Sequence, residues 1–205
     1  MQHTFLTRRH LLALAGVAAL SGCDKLGLGG PPQPAFKGLN ITGADYARRL
    51  NLPDQNGQPR TLADFKGKVT VVFFGYTQCP DVCPTTLMEL ATVKQDLGAQ
   101  GALVQPVFVS VDPERDTREL LKAYMANFGP DFLGLSGDAA QTQAVAKEFK
   151  IYYAKVPSKT SGNYTVDHTA GSYLFDKQGQ VRVFSRYGSG AEALAHDLKL
   201  LLAEP

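Results

Sequence analysis

The chain has 205 residues, of which 44% are hydrophobic and 20% are charged, and its formal net charge at pH 7 is +2. This length is enough for one domain with a well-buried core. Basic and acidic residues nearly balance, and no basic stretch suited to neutralising phosphates is present. The composition therefore argues against a nucleic-acid-binding protein.

The first 22 residues are predicted to form a signal peptide of the lipoprotein type. Arg8 and Arg9 supply its positive end, and the ten residues from Leu11 to Leu20 are apolar. That run is too short for a membrane-spanning helix, which needs about 20 residues, but it is typical of a signal-peptide core. It ends in a sequence that resembles a lipobox, which predicts cleavage before Cys23 and attachment of a lipid to that cysteine.

A lipid on Cys23 predicts a membrane anchor on the periplasmic side of the bacterial inner membrane. The paired arginines leave two export routes open, the general secretory route and the twin-arginine route. Residues 23–38 are then the lipidated cysteine and a flexible tether, because a run rich in glycine and proline cannot pack a core. Loss of residues 1–22 removes two of the 21 basic residues and no acidic one, which leaves 19 of each.

Residues 39–205 are predicted to form one domain in which strands and helices alternate. The first core strand, at 69–74, is β-branched and aromatic throughout, as expected of a strand buried on both faces. A loop with two cysteines follows it, and Pro84 suits the first position of the next helix. The other predicted elements are a helix to Leu97, a strand at 104–111, a helix after Asp116 or Thr117, a short strand at 132–135, a helix from Asp138 to Phe149, extended segments at 151–156 and 164–167, a hairpin at 172–185 and a helix after Gly190.

This order predicts an α/β fold with a central mixed sheet flanked by helices, because parallel core strands need crossover helices and the late hairpin adds antiparallel strands. The cysteine motif follows the first core strand and opens the first helix, so that the fold resembles that of thioredoxin. We therefore predict a single thioredoxin-like domain with β-hairpin insertions. The sequence Asn56-Gly57 predicts the turn of one such β-hairpin.

Cys79 and Cys83 are the two cysteines that remain once Cys23 is assigned to the lipid. In one helical turn their side chains share a face, with Cα atoms about 6 Å apart, which a disulfide accepts. A purely structural disulfide is disfavoured, since closing so small a loop stabilises little. A helix N-terminus favours the thiolate, which is both the nucleophile of disulfide exchange and a ligand for a soft metal. The pair alone leaves both functions open.

His168 lies 85 residues after Cys83, in a predicted loop just before the strand that starts near residue 172. In a thioredoxin-like fold this loop faces the cysteine loop. Two sulfurs and one imidazole suit copper, which prefers soft donors. Zinc with a water as fourth ligand is the alternative. His196, in the middle of the last predicted helix, is expected to be an ordinary solvated residue.

Three segments of the chain resemble the Sco/SenC family of copper proteins. They are Phe73 to Pro84, which contains the sequence Cys-Pro-Asp-Val-Cys-Pro, then Val109 to Asp116, and Asp167 to Thr169. The resemblance extends from about residue 36 to the C-terminus and covers three spaced motifs in order, which makes it highly specific.

The resemblance implies a thioredoxin fold and one copper ion per chain, as Cu(I) or Cu(II), held by Cys79, Cys83 and His168. It also implies delivery of that copper to the binuclear site of cytochrome c oxidase subunit II, with another copper chaperone or a thiol reductant as further candidate partners. Family members usually carry a transmembrane anchor, whereas this chain has a lipobox. Asp112 and Asp116 match acidic positions of the family, and we expect them to form a turn and a helix cap.

Two enzyme functions remain as alternatives. The first is a thiol-disulfide oxidoreductase in which Cys79 and Cys83 are the redox-active pair and keep the target's copper-ligand cysteines reduced. This activity and copper delivery can coexist, since copper requires the reduced pair. The second is a peroxidase of the peroxiredoxin type, which is disfavoured because Thr77 precedes Cys79 by two residues rather than the three of that family.

Overall fold

The structure is a computed structural model that describes residues 35–157 and 163–205. The predicted signal peptide, Cys23 and the predicted tether up to residue 34 lie outside the described residues, as does the polar loop at 158–162. Within the described part of the chain, none of the helices is both long enough and apolar enough to span a membrane.

The described residues form strands and helices in the predicted order, with small shifts at their ends. The strands are β1 (Leu39–Asn40), β2 (Asn51–Pro53), β3 (Pro59–Thr61), β4 (Val69–Gly75), β5 (Val104–Ser110), β6 (Leu133–Leu135), β7 (Tyr153–Pro157), β8 (Tyr164–His168), β9 (Gly171–Phe175) and β10 (Val181–Arg186). The α-helices are α1 (Val82–Asp96), α2 (Arg118–Met125), α3 (Ala139–Glu148) and α4 (Ala191–Ala203), and short 3-10 helices lie at Leu62–Phe65 and Gly98–Leu103.

Six strands form a central mixed sheet in the order β1-β10-β9-β4-β5-β6. Strands β4, β5 and β6 run parallel, and β9 pairs antiparallel with β4. Two further hairpins, β2–β3 and β7–β8, form separate two-stranded sheets. The turn of the first contains Gly57 at φ +80°, a backbone conformation that glycine adopts without strain. The predicted fold, a mixed α/β sheet of thioredoxin type with hairpin insertions, is confirmed.

The parallel strands β4 and β5 are buried along their whole length. Every residue of β4 and β5 is buried, as the run of valine and phenylalanine in each predicts. Both strands run in the same direction and end together, with Gly75 paired to Ser110. The loops that follow them therefore meet at one edge of the sheet, and this edge carries the two cysteines.

The cysteine loop leads from β4 into α1. The helix begins at Val82, so that Pro84 lies in its first turn rather than at the predicted first position. The shift is harmless, because the backbone N–H groups throughout the first turn have no partner within the helix. Cys79 precedes the helix, and Cys83 lies in its first turn.

The hairpin β7–β8 brings His168 to the same edge. His168 is the last residue of β8, paired with Tyr153 of β7, and not a loop residue as predicted. After two residues the chain enters β9, where Ser172 pairs with Phe73 of β4. The antiparallel pairing of β9 with β4 thus returns the histidine to the end of β4 where the cysteine loop starts.

Candidate metal centre

The side chains of Cys79, Cys83 and His168 converge at the carboxyl edge of β4. Their ligand atoms, two sulfurs and one ring nitrogen, all lie within 4.8 Å of one another. The Sγ of Cys83 is 3.5 Å from Nε2 of His168. Both cysteines are free thiols in the structure. The spacing fits one metal ion bound between the three atoms, since metal–sulfur and metal–nitrogen bonds are about 2.0–2.3 Å long.

The three residues differ in their exposure to solvent. Cys83 is fully buried, whereas Cys79 and His168 are half-buried. The last two border an open cleft of about 330 Å³ between the cysteine loop and β8. A metal ion at this site is therefore shielded on the Cys83 side and accessible on the opposite side.

The two thiols have opposite tendencies to ionise. A hydrogen bond from the Cys83 thiol lowers the pKa of Cys79 to about 3, and the His168 side chain and the backbone N–H groups of Asp81 and Cys83 contribute in the same direction. The same hydrogen bond and burial raise the pKa of Cys83. The backbone contribution is the predicted effect of a helix N-terminus on a thiolate. In the reduced protein Cys79 is the thiolate and Cys83 donates to it.

The imidazole of His168 is oriented by a backbone contact and by two aromatic rings. Its Nδ1 lies 3.1 Å from the carbonyl oxygen of Thr169. A carbonyl only accepts, so Nδ1 carries the proton in the neutral ring and the lone pair of Nε2 faces the sulfurs. The rings of Phe73 and Tyr76 pack edge-on against the imidazole, each with a centroid distance of 6.1 Å.

His196 lies in α4 and does not belong to this cluster. Its side chain is half-buried rather than fully solvated, and its Nδ1 is 3.0 Å from the carboxylate of Asp197. Asp197 also accepts from the backbone N–H groups of Lys37 and Gly38 at 2.7 and 2.8 Å. His196 therefore contacts a carboxylate that holds the start of the described chain on α4.

Asp116 is a buried carboxylate between the cysteine loop and β5, and not the expected helix cap. It accepts from the backbone N–H and the hydroxyl of Thr77 at 3.1 and 2.6 Å, and from the hydroxyl of Ser110 at 2.6 Å. Burial raises its pKa. Thr117 caps α2 instead, since its side chain accepts from the N–H of Leu120. Asp116 thus fixes the start of the cysteine loop.

Asp112 forms the expected turn and has a second role. Its carbonyl accepts from the N–H groups of Arg115 and Asp116 at 3.1 and 3.0 Å. Its buried carboxylate is paired with the guanidinium of Arg115 and accepts from the hydroxyl of Tyr164 at 2.7 Å. Sequence reasoning singled out neither Arg115 nor Tyr164. The available signal was the position of Arg115 in the turn that follows the buried strand β5, five residues after its end, at the edge that carries the cysteines.

The lowered pKa of Cys79 predicts a thiol that stays reactive in mildly acidic solution. We expect the rate of alkylation of the reduced, metal-free protein by iodoacetamide to be nearly constant from pH 8 to pH 5, because Cys79 protonates only as the pH falls towards about 3. An ordinary thiol, with a pKa of about 8.5, loses about tenfold in rate per pH unit over this range. Mass spectrometry of the modified cysteine measures the rate.

The control for this experiment is Cys83→Ala, which removes the thiol that donates to Cys79. In that variant the pKa of Cys79 should rise, so that alkylation slows as the pH is lowered from 8 to 5. A steep pH dependence in the unmodified protein would contradict the assignment of Cys79 as the thiolate.

The sequence and the fold are similar to those of known proteins. The SCO1/SenC family model matches residues 40–203. The SCO2-like protein of Rickettsia prowazekii is 37% identical over 174 residues, which cover 82% of each chain. The copper-bound structure of Bradyrhizobium japonicum ScoI is 44% identical, with a TM-score of 0.68, and the match covers 75% of this chain and 97% of that one. The structure of a SCO1/SenC family lipoprotein from Bacillus anthracis is 27% identical, with a TM-score of 0.64, and covers 77% of this chain and 98% of that one. The chain belongs to the SCO1/SenC family.

Proposed function

We propose that this protein is a copper metallochaperone that binds one copper ion through Cys79, Cys83 and His168. One observation carries the proposal: two sulfurs and an imidazole nitrogen lie within 4.8 Å of one another at one edge of the sheet. ScoI of Bradyrhizobium japonicum, which shares 44% of the aligned sequence, is a copper-bound member of the same family.

The donor set favours copper over other metals. Thiolate sulfur is a soft ligand, and Cu(I) accepts three-coordination by soft donors. Two thiolates give a net charge of −1 with Cu(I) and of zero with Cu(II), so that neither state places a large charge in a half-buried site. Zinc fits the same residues with an added water, but divalent copper binds such a set more tightly.

The exposure of the site supports transfer rather than permanent storage. The buried Cys83 holds the ion from within, and Cys79 and His168 border the open cleft. A partner with its own sulfur and imidazole ligands can reach the ion from that side and replace Cys79 and His168 one at a time. We assign this partner as cytochrome c oxidase subunit II, whose binuclear copper site receives the ion.

Copper stoichiometry and the Cu(II) absorption spectrum test the proposal. The reduced, detergent-solubilised protein should bind one copper ion and show a sulfur-to-copper charge-transfer band. His168→Ala should lose stable binding and change that band, because the imidazole supplies one of the three donors. His196→Ala is the matched control and should bind as the unmodified protein does. A band that survives unchanged in His168→Ala would contradict the ligand set.

A second function is favoured by the ionisation of the cysteine pair. As a thiol-disulfide oxidoreductase, the Cys79 thiolate attacks a disulfide between two copper-ligand cysteines of the target and releases one target thiolate. Cys83 then loses its proton and attacks the Cys79 sulfur, which releases the second thiolate and forms the Cys79–Cys83 disulfide. The target gains two electrons. His168→Ala separates the two functions, since it should retain this exchange while copper binding is lost.

We further propose that a lipid on Cys23 anchors the domain at the periplasmic face of the inner membrane. The lipobox-like sequence and the apolar run before it support this, and a SCO1/SenC family lipoprotein is among the relatives. Residues 1–22 are then the removed signal and residues 23–38 the tether. The mass of the mature N-terminal residue, with or without a lipid on Cys23, tests the anchor.

A further inference from the structure

The hairpin that carries His168 is a separate element of the fold. Strands β7 and β8 form a two-stranded sheet, and the backbone pairing described for them joins only these two strands. The hairpin is linked to the central sheet at its base, where Thr169 and Ala170 lead into β9. The tilt of β8 over the cysteine loop is therefore set by side-chain contacts rather than by a ladder of backbone hydrogen bonds.

One arginine links the hairpin to the loops beside it, in addition to the buried side chain of Val166 and the ion pair of Lys155 with Glu114. The guanidinium of Arg115 is ion-paired with the buried carboxylate of Asp112. Its Nη1 donates to the carbonyl of Tyr164 in β8 at 2.9 Å and to the side-chain oxygen of Gln78 in the cysteine loop at 3.2 Å. Arg115 thus joins the loop after β5 to the hairpin and to the cysteine loop at once.

Two aromatic rings lie close to this guanidinium. Its central carbon is 3.6 Å from the ring centroid of Tyr164 and 5.6 Å from that of Tyr76. The ring of Tyr76 in turn packs edge-on against the imidazole of His168. The hydroxyl of Tyr164 donates to Asp112, the partner of the same arginine. A continuous packing path therefore runs from Tyr164 through Arg115 and Tyr76 to His168.

We propose that Arg115 is a positioning residue for copper binding, which clamps Tyr164 of the hairpin to Tyr76 beside the cysteine loop and so holds the imidazole of His168 against the two sulfurs. The inference rests on the proposed function, since it names the residue that sets the geometry of the same site. It assigns Arg115 no contact with the metal.

The Arg115–Asp112 ion pair is buried, and this burial explains why a change at Arg115 can affect the position of His168, which it does not touch. The Asp112 side chain is 0% exposed and that of Arg115 is 16% exposed. Removing one partner from a buried, hydrogen-bonded ion pair leaves the other without compensation. Lysine keeps the charge of Arg115 but loses the planar fork and the stacking on two rings. Tyr164→Phe removes a single hydroxyl and keeps the ring, which makes it the milder change.

The test uses both substitutions in the full-length, reduced protein. Cu(I) affinity, measured by competition with a chelator, should weaken about tenfold in Tyr164→Phe and further in Arg115→Lys, because fewer molecules then hold the imidazole in place. The nitrogen hyperfine signal of His168 in the Cu(II) electron paramagnetic resonance spectrum should weaken in both. In the metal-free protein, the amides of β7 and β8 should exchange faster. Tyr152→Phe and Arg118→Lys, which change exposed residues beside the hairpin and in α2, are the matched controls.

Two results would overturn the clamp. One is unchanged copper affinity and unchanged hairpin exchange in Arg115→Lys. The other is a lowered melting temperature with wild-type affinity and spectrum, which would make Arg115 a structural residue only. If the unmodified protein bound no copper, the proposed function would fail. Hydrogen exchange alone would then decide whether Arg115 holds the hairpin in place. Faster exchange of the hairpin amides in Arg115→Lys would still support the clamp, and unchanged exchange would refute it.

Discussion

Replacing Cys83 with serine is expected to abolish stable copper binding while the fold is kept. Cys83 is fully buried in the first turn of α1, and its sulfur faces His168. Serine has nearly the same shape, but a hydroxyl is a hard donor that does not ionise at neutral pH, whereas copper in this site needs a soft thiolate. We expect the dissociation constant for Cu(I) to rise by more than about a thousandfold, equivalent to about 4 kcal/mol.

Competition with a chelator measures this change, and the melting temperature of the metal-free variant shows that the domain remains folded. Cys83→Ala is the companion variant, since it removes the donor atom without adding a buried hydroxyl. Both variants should lose copper to the same extent. Retention of copper by Cys83→Ser with wild-type affinity would exclude Cys83 as a ligand and would leave the cluster with two donors.

The strands and helices around this site could be predicted because their sequences have one dominant pattern. The runs of valine and phenylalanine in β4 and β5 suit strands covered on both faces, and all fourteen of their residues are buried. Asp138 precedes α3 and accepts from the N–H of Gln141, as a helix cap does. In these segments local preference and burial favour the same structure.

The three residues of the cluster were also predicted from the sequence, since two nearby cysteines and a histidine at one site serve few functions other than metal binding and thiol chemistry. Two cysteines one helical turn apart and a histidine before a core strand restrict both chemistry and position. The assignment of His168 to a loop was wrong, because the predicted extended segment ended at Asp167, whereas pairing with Tyr153 extends β8 by one residue.

The contacts that hold this cluster in place could not be predicted. Arg115 meets Tyr164 across 49 residues and Gln78 across 37, and no periodic pattern encodes such pairs. Asp116 was misassigned because a carboxylate before a helix usually caps it. The neighbouring Thr117 takes that role, and the Asp116 carboxylate accepts instead from the hydroxyls of the buried Ser110 and the half-buried Thr77.

A methyl group on Gly75 is the second change with a large expected effect. Gly75 is the last residue of β4, and a Cβ atom there would lie 2.7 Å from the Sγ of Cys83 and 2.8 Å from the ring of Phe108. Both distances are well inside van der Waals contact, and all three residues are buried. We expect Gly75→Ala to lower the free energy of unfolding by about 2 kcal/mol, since overpacking a core costs about 1–3 kcal/mol, and to lower the melting temperature by about 4–8 °C.

The same substitution should disturb the metal site, because the sulfur of Cys83 is one of the two atoms that must move. A double-mutant cycle separates the two contacts. In a Cys83→Ala background the sulfur is absent, so that Gly75→Ala should cost measurably less than it does alone, and the remainder reports the contact with Phe108. If the two changes were simply additive, the close approach of Gly75 to Cys83 would not be what restricts this position to glycine. A measured coupling between the two substitutions would show that the absence of a side chain at Gly75 leaves room for the buried sulfur of Cys83. This room allows the sulfur to lie within reach of His168.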